Sequence, residues 1–291
     1  MLLFKKGNLV MISFSLFKNM IMFMYFTCIV MGLSSNSWFF LWVCLEFNML
    51  LFIPMFYKLS LNIINSLIKY FVIQSLSSMI FLLSIVMKMT YLDCLMMNLL
   101  LFLSLWIKMG FFPFSSWYFQ ISENMNWSIW FLLNTFQKLI PLWVVSFVFV
   151  DLKLIMCLML MNSIYSFIEI WNQSSLRWMI NASSMNHFNW MLLSFNSLLP
   201  VWEIYFIIYS LISYILLKFL KKNNWGSLLN MLNMKSKYMN FMFLIIMLNF
   251  MGIPPMAGFY VKLLILKTNL SMFMCLMLIF SNFILMNFAL F

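Results

Sequence analysis

The stretch Ile107-Lys108-Met109-Gly110-Phe111-Phe112-Pro113-Phe114 ends a segment that is otherwise apolar from about Leu92. It places a lysine inside a hydrophobic span, followed by a glycine and a proline. A cation at the centre of a spanning helix costs roughly 2.5–3.5 kcal/mol on insertion scales, so such residues usually face the protein interior. Pro113 has no N–H, and the Met109 carbonyl therefore loses its helical partner. The stretch indicates either an ion site beside a broken helix or a lysine that reaches out from a helix end to the membrane surface.

The composition places the chain among polytopic membrane proteins. Of the 291 residues, 66% are hydrophobic and 8% are charged, far more apolar surface than a soluble core of this length requires. The first apolar run leads directly into further spans, which argues against a cleavable signal peptide. The net charge of +11 comes from lysines in short loops, so we expect no nucleic-acid partner.

The cysteines and histidine do not form a metal-site pattern. No two cysteines have the CxxC spacing, and the chain has one histidine, which argues against an iron–sulfur or zinc site. The six glycines form no phosphate-binding loop. We therefore expect the chain itself to bind no cofactor. The cysteines are Cys28, Cys44, Cys94, Cys157 and Cys275.

The hydrophobic pattern predicts an all-α protein with ten transmembrane helices, each near the roughly 20 residues that a bilayer requires. A basic N-terminal tail, residues 1–13, precedes them, and the ninth helix is broken at Gly252, Pro254 and Pro255. The predicted spans are 14–34, 37–57, 66–87, 92–112, 127–149, 152–172, 176–195, 198–220, 238–267 and 271–291.

The loop charges support this count, because with ten spans the basic residues separate strongly between the two sides. Such a bias marks the side that stays inside, which predicts that both termini lie there. Three lysines, Lys108, Lys138 and Lys262, remain within the membrane. The other side receives Lys88, Lys153 and Lys267. The basic side receives Lys5, Lys6, Lys18, Lys58, Lys69, Arg177, Lys218, Lys221, Lys222, Lys235 and Lys237.

Prolines accompany each membrane lysine. Lys138 is followed by Pro141, and Lys262 follows the Pro254–Pro255 pair. Each proline frees a backbone carbonyl, and freed carbonyls near a cation in a discontinuous helix are typical of ion sites in transporters. For Lys262 the alternative is a lysine near a helix end that reaches the polar turn at Thr268.

The order of the spans predicts an inverted repeat. The fourth and ninth helices are both broken, both carry a lysine, and lie five spans apart, so they cross the membrane in opposite directions. The repeats would be residues 14–150 and 151–291. Similarity between their sequences is faint, so the prediction rests on topology.

Two further polar positions are candidate site residues. Glu46 lies near the middle of the second span, and His187 lies one turn after Ser183 and Ser184 in the seventh. A histidine can exchange a proton near neutral pH, although a histidine that is hydrogen-bonded only for packing would fit equally well. Asn162, Ser166, Glu169 and Gln173 follow one helical face of the sixth span.

Several motifs together resemble the subunit 2 family of the antiporter-like membrane subunits of mitochondrial NADH:ubiquinone oxidoreductase, respiratory complex I. They span roughly residues 34–265 in the family's order. The motifs are Ser34 to Pro54 with Glu46; Ile68-Lys69-Tyr70-Phe71 with Gln74; Lys108-Met109-Gly110 with Pro113-Phe114 and Trp117; Gln137-Lys138-Leu139 with Pro141; Asn172-Gln173 with Leu176-Arg177, Ser183-Ser184 and His187; and Gly252-Ile253-Pro254-Pro255 with Gly258-Phe259 and Lys262.

The resemblance implies the antiporter-like fold and a proton path across the midplane. In that family the residues matching Glu46, Lys108, Lys138 and Lys262 handle protons, and His187 would lie between them. Four departures bear on the ends of the path. Ser115 replaces a histidine, Phe119 and Gln120 stand where Pro and Glu are common, Trp178 replaces a lysine, and no counterpart of the family's last helix follows the tenth span.

The resemblance also implies partners and a location. NADH, flavin, iron–sulfur clusters and ubiquinone would be bound by other complex I subunits, and phospholipid, with cardiolipin as the expected species, would surround the chain. The 32 methionines and 35 phenylalanines are typical of a small mitochondrial genome, so the basic side would be the matrix. Two alternatives stay open: a stand-alone cation/proton antiporter of the same fold, and a structural membrane subunit without transport.

Overall fold

The computed structural model describes residues 2–56, 60–90, 95–148, 152–171, 175–196, 200–223, 237–252 and 256–268. Within these ranges all regular elements are helices, with 3-10 turns at Ile53–Met55 and Ser194–Asn196. The α-helices are α1 (Leu2–Ser34), α2 (Trp38–Phe52), α3 (Leu61–Thr90), α4 (Leu95–Met109), α5 (Ser116–Asn124), α6 (Trp127–Asn134), α7 (Phe136–Val145), α8 (Leu152–Trp171), α9 (Leu176–Leu193), α10 (Val201–Asn223), α11 (Lys237–Met251) and α12 (Ala257–Thr268).

Six stretches are long and apolar enough to cross a membrane. Shorter apolar helices occur at Leu95–Met109 and Phe241–Met251. The tenth predicted span, residues 271–291, lies outside the described part of the chain. The six stretches are Phe17–Ser34, Trp38–Met55, Leu61–Thr90, Trp127–Val145, Lys153–Ile170 and Val201–Asn223.

The fourth, seventh and ninth predicted spans are not among these six stretches, because each is short, polar or interrupted. α9 is 18 residues long but holds three buried asparagines and the histidine, which lower its hydropathy. α4 has 15 residues, and the ninth predicted span is divided into α11 and α12. Six long apolar stretches support a polytopic membrane protein, and the count of ten spans stays a prediction.

The described chain separates into two compact units. The first contains residues 1–109 and 136–148, and the second contains residues 110–135 and 149–291. In the first unit α2 packs between α1 and α3, α4 packs on α3, and α7 contacts both α1 and α4. In the second unit α9 contacts α5, α8, α10 and α12, while α10 also packs on α6, α11 and α12. In the predicted repeats, 14–150 and 151–291, residues 110–135 would belong to the first repeat, whereas here they belong to the second unit.

α9 is the core helix of the second unit. From Met179 to Leu193 every side chain is buried, including the polar ones. Burial without hydrogen bonds would be costly in a membrane, where water cannot replace a missing partner. The polar side chains of α9 must therefore find partners on the helices around it.

Two glycines end the interrupted helices. Gly110 follows the last residue of α4 with φ 73°, and Gly252 follows the last residue of α11 with φ 74°. This left-handed conformation is costly for any residue with a Cβ atom, so glycine is favoured immediately after a helix. Pro113 lies beyond the end of α4, so the helix ends because of Gly110. Pro254 and Pro255 lie outside the described residues.

The fifth predicted span is broken at Thr135 and not at Pro141, which corrects the sequence expectation. Pro141 lies inside α7, where its missing N–H removes only one backbone bond. Thr135 separates α6 from α7 with φ −113° and ψ −75°. Its hydroxyl donates to the Phe131 carbonyl at 2.7 Å, a back-bond to the preceding turn that is known to bend helices.

Two other segments are more helical than expected. Part of the segment between the fourth and fifth predicted spans is helical, since residues Ser116–Asn124 form α5. The predicted tail, residues 1–13, is continuous with α1 from Leu2. A short amphipathic helix such as α5 is difficult to predict because Trp117, Tyr118 and Phe119 are all buried and give no periodicity.

Candidate functional site

Lys108 lies buried in the first unit, in the last turn of α4, with 7% of its surface exposed. Carbonyls in a last helical turn have no partner within the helix. The Gln74 Nε2 atom on α3 donates to the Lys108 carbonyl at 3.2 Å. In return, the Lys108 Nζ atom donates to the backbone carbonyl of Gln74 at 3.5 Å. This reciprocal pair fixes a buried amine at a helix end.

Glu46 is the acidic group near this lysine. It lies on α2 and is half-buried, with Leu45 fully packed beside it. It lies close enough for its charge to act on the Lys108 amine. In a low-dielectric interior such an interaction is much stronger than in water. The structure therefore places Glu46 and Lys108 in the same unit, within electrostatic range.

Lys138 lies in the first turn of α7 and is 3% exposed. The adjacent Gln137 joins two helices of the same unit. Tyr70 donates its hydroxyl hydrogen to Gln137 Oε1 at 3.1 Å, and Gln137 Nε2 donates to the Asn48 carbonyl at 3.5 Å. Lys138 thus lies on a short helix that the adjacent Gln137 side chain connects to α2 and α3.

Lys262 is the buried lysine of the second unit. It lies on α12, is 7% exposed, and its Nζ atom donates to the Met251 carbonyl at 2.7 Å. Met251 is the last residue of α11, so the lysine satisfies one of the carbonyls that the helix leaves unpaired. The Lys262 Nζ atom also lies 5.8 Å from the ring centre of Trp190 on α9, within cation–π range.

His187 lies on α9 in the same unit as Lys262, and the Lys262 charge acts on it. Its Nδ1 atom is 2.8 Å from the Tyr205 hydroxyl on α10. The imidazole also packs edge-on against Phe250 at 4.8 Å and lies 5.2 Å from the Tyr209 ring. The structure therefore brings together His187 and Lys262, the two polar candidates of the C-terminal half.

Asparagines connect α9 to α8. Asn162 Nδ2 donates to Asn189 Oδ1 at 2.9 Å, and Asn186 Nδ2 donates to Ser166 Oγ at 3.0 Å. Asn162 Oδ1 in turn accepts the backbone N–H of Phe112 at 3.0 Å, just after the α4 break. Asn162 and Ser166, on the predicted polar face of α8, thus contact α9, and Asn162 also binds the backbone N–H just after the end of α4. Gln173, the last residue of that face, lies outside the described residues.

A second polar cluster joins α9 to α5 and α6. Trp130 Nε1 donates to Asn181 Oδ1 at 2.6 Å, and Asn134 Nδ2 donates to the same oxygen at 3.4 Å. The Tyr118 hydroxyl lies 2.7 Å from Ser184 Oγ and also donates to Asn134 Oδ1. All five side chains are buried or nearly so.

Of the positions that depart from the expected pattern, Ser115 precedes α5, Phe119 and Gln120 lie on α5, and Trp178 lies on α9. Trp178 Nε1 donates to Glu169 Oε2 at 2.8 Å, and the Trp178 ring stacks on Phe119 at 4.9 Å. An indole thus satisfies Glu169 where the family commonly has a lysine. Ser115 is fully buried, and its side chain lies close to that of Tyr165.

Sequence reasoning selected the charged groups but missed most of their neutral partners. Tyr118, Tyr205 and Tyr209 gave no signal, since aromatic residues make up 20% of the chain. Asn181 and Asn186 could have been found as a high density of amides in a membrane span. Among the described residues, no group of three or more His, Cys, Asp or Glu side chains could hold a metal ion.

Comparison with known sequences gives consistent results. Residues 35–286 match the family model described as "NADH:quinone oxidoreductase/Mrp antiporter, TM". The NADH-ubiquinone oxidoreductase chain 2 of Artemia franciscana is 34% identical over 254 residues, covering 85% of this chain and 78% of the relative. The same-named protein of Anopheles gambiae is 32% identical over 251 residues, covering 82% and 73%.

Solved structures share the fold at lower identity. A chain of respiratory complex I from Thermus thermophilus with bound Aureothin superposes with a TM-score of 0.81 at 18% identity, covering 90% of this chain and 66% of that chain. A chain of the Mrp complex from Dietzia sp. gives a TM-score of 0.77 at 14% identity, covering 90% and 57%. At these identities the likeness concerns the fold alone.

Proposed function

Because the chain belongs to the NADH-ubiquinone oxidoreductase chain 2 family, we propose that it is a proton-translocating membrane-arm subunit of mitochondrial respiratory complex I. The observation that carries the proposal is the burial of three lysines in apolar helices, at 7%, 3% and 7% exposure for Lys108, Lys138 and Lys262. Buried amines within membrane spans are costly and are retained where they serve a path for ions or protons.

The first step of the mechanism is electrostatic coupling between Glu46 and Lys108. Two unit charges a few ångströms apart interact by several kcal/mol in a protein interior, roughly 4 kcal/mol at 4 Å for an effective dielectric constant of 20. A movement of Glu46 or a change in its protonation therefore changes the energy of the proton on Lys108. Because Glu46 is half-buried in this chain, its outer side is available to a neighbouring subunit that would drive the change.

The later steps use Lys138, His187 and Lys262 as proton carriers. Lys262 and His187 influence each other electrostatically, so protonation of one disfavours protonation of the other. This repulsion favours transfer of a proton from one group to the next over protonation of both groups at once. Lys108 contacts the Gln74 carbonyl within α3, and Lys262 contacts the Met251 carbonyl at the end of α11, so each amine is held in place.

The subunit would carry no redox centre of its own. NADH, flavin, iron–sulfur clusters and ubiquinone would be bound by partner subunits, and quinone reduction there would supply the energy. We further propose the mitochondrial inner membrane as the location, with both termini in the matrix, the other membrane-arm subunits as neighbours, and phospholipid, including cardiolipin, against the exposed apolar faces.

Substitution of Lys108 in the assembled complex tests the proposal. Lys108→Met keeps the length of the side chain and removes the protonatable group, so protons pumped per NADH oxidised should fall. Lys153→Met, at an exposed position near the start of α8, is the control and should leave the ratio unchanged. Unaltered pumping by Lys108→Met would favour the structural-subunit alternative. Cation-dependent proton exchange by the isolated chain would favour the stand-alone antiporter.

A further inference from the structure

Two hydroxyl groups in the second unit face each other in a fully buried position. The Tyr118 hydroxyl on α5 and the Ser184 hydroxyl on α9 lie 2.7 Å apart, and either can be the donor. Both side chains are 0% exposed. On one side of the pair, Tyr118 can donate to Asn134 Oδ1. On the other side, Ser184 can donate to the Asn181 backbone carbonyl at 2.6 Å.

The pair has two hydrogens and two alternative directions. A hydroxyl carries one hydrogen and also accepts. If Tyr118 donates to Asn134, Ser184 donates to Tyr118. If Ser184 donates to the Asn181 carbonyl, Tyr118 donates to Ser184. Both directions use every hydroxyl hydrogen; they differ in which hydroxyl donates within the pair and in whether the terminal acceptor is Asn134 Oδ1 or the Asn181 carbonyl. The geometry therefore permits reversal of the whole chain without breaking up the packing.

A third hydroxyl connects this pair to the histidine. Tyr209 on α10 is 2% exposed, and its hydroxyl lies close enough to Ser184 and Tyr118 to interact with them, although it makes no hydrogen bond of normal geometry to any residue that the structure describes. The same side chain lines a small cavity together with His187 and Tyr205. The cavity is about the size of one water molecule, and its other lining side chains are apolar.

We propose that Tyr118, Ser184 and Tyr209 form a hydroxyl relay that carries protons between the His187 cavity and the Asn134 end of α6. The inference rests on the proposed function and names further residues of the same path. Relays of this kind need neutral groups that both donate and accept, in a chain that is shielded from other proton sources.

Each transfer is balanced. A proton entering from the cavity, from water or His187 by way of Tyr209, forms a new O–H bond at Ser184. The original hydrogen of Ser184 passes to the Tyr118 oxygen, and the original hydrogen of Tyr118 passes to an acceptor beyond it, water by chemical class. Every oxygen keeps one hydrogen and no electrons are transferred. Rotation of the two hydroxyls then restores the starting direction.

The test uses the assembled complex reconstituted in vesicles, with protons pumped per NADH oxidised as the readout. Tyr118→Phe and Ser184→Ala each remove one hydroxyl and should lower coupled pumping by at least about tenfold, since positioned proton-transfer groups typically contribute about 10²–10⁴-fold to a rate. Ser184→Thr keeps the hydroxyl and should restore most of the pumping. Ser183→Ala is the matched control, because Ser183 is the preceding buried serine of α9 and donates to the Ile180 carbonyl, a bond within its own helix.

The outcomes separate the relay from the proposed function. Loss of pumping in Lys262→Met but not in Tyr118→Phe and Ser184→Ala would overturn the relay alone, while normal pumping in the lysine variants would overturn the function. An equal loss in Ser183→Ala would also overturn the relay, since packing alone would then explain it. If a variant fails to assemble, a high-resolution structure of the unmodified complex decides. Contact between the Tyr118 and Ser184 hydroxyls supports the relay. The relay is contradicted if the two hydroxyls lie beyond hydrogen-bond reach with no water between them.

Discussion

The Lys262 amine donates a 2.7 Å hydrogen bond to the carbonyl of Met251, the last residue of the helix before the break. The two residues are 11 positions apart in the sequence. The contact exists because the start of α12 lies beside the end of α11, with the Gly258 backbone close to Gly252. The break in the helix and the placement of the lysine are thus one structural feature: the interruption supplies the acceptor, and the buried amine satisfies it.

Replacement of Lys262 by methionine should abolish most coupled pumping while the complex still assembles. The change leaves the Met251 carbonyl without its donor and removes the protonatable group, but it keeps the bulk of the side chain. Lys267→Met on the same helix is the control, because Lys267 is exposed. The measurement is the number of protons pumped per NADH oxidised in vesicles. Equal values for Lys262→Met and Lys267→Met would contradict this prediction.

Gly252→Ala should destabilise the second unit and reduce pumping. An added Cβ at φ 74° would lie 3.1 Å from the Gly258 backbone and 3.2 Å from Lys262 Nζ. The left-handed conformation alone costs about 1–2 kcal/mol for a residue with a side chain. Gly32→Ala on α1 should be tolerated, since its Cβ would mainly meet the movable end of Ile140 at 3.0 Å. Thermal inactivation of the assembled complex compares the two, and equal inactivation temperatures would refute the argument.

Gln74→Leu should weaken the attachment of Lys108. The Lys108 carbonyl would lose its donor in a buried site, an effect of about 1–3 kcal/mol, and the lysine side chain would become less well positioned. We expect a lower thermal stability and a smaller proton yield. Ser75→Ala, one residue further along α3, removes only a local bond to the Val72 carbonyl and should change neither quantity. A stable, fully coupled Gln74→Leu complex would show that this contact has no role.

Glu46→Gln should reduce pumping more than Glu46→Asp. Glutamine removes the charge that acts on Lys108, whereas aspartate keeps it and loses only reach. Stranding one charge of a buried pair costs about 3–5 kcal/mol when both members are fully buried, and the half-buried position of Glu46 should make the effect smaller. The measurement is the pumping ratio at equal NADH oxidation rates. Full coupling by Glu46→Gln would contradict the electrostatic mechanism.

The charge distribution predicts a specific pattern of protease sensitivity. The segment between Lys221 and Lys237 carries four of the basic residues assigned to the matrix side. Trypsin added to inside-out inner-membrane vesicles should cleave there, and trypsin added to intact mitoplasts should not. Cleavage in mitoplasts would reverse the predicted orientation, and detection of the C-terminal fragment by mass spectrometry identifies the site.

The sequence by itself determined the protein class, the positions of the buried lysines and two helix ends. These features are local. A hydrophobic stretch of sufficient length specifies a span, and a single glycine permits a positive φ whatever surrounds it. Gly110 and Gly252 could therefore be read from the sequence, whereas the bend at Thr135 could not, because it depends on a hydroxyl competing for the Phe131 carbonyl.

Only the tertiary structure decided which groups meet. Gln74 and Lys108 are 34 positions apart, and Tyr118 and Ser184 are 66 apart. Their contacts depend on which faces of α3 and α4, or of α5 and α9, pack together, and in a membrane that choice is not made by hydrophobicity, since lipid is as apolar as the helices themselves. Packing and the need to satisfy every buried polar group select the arrangement, and these are properties of the whole set of helices.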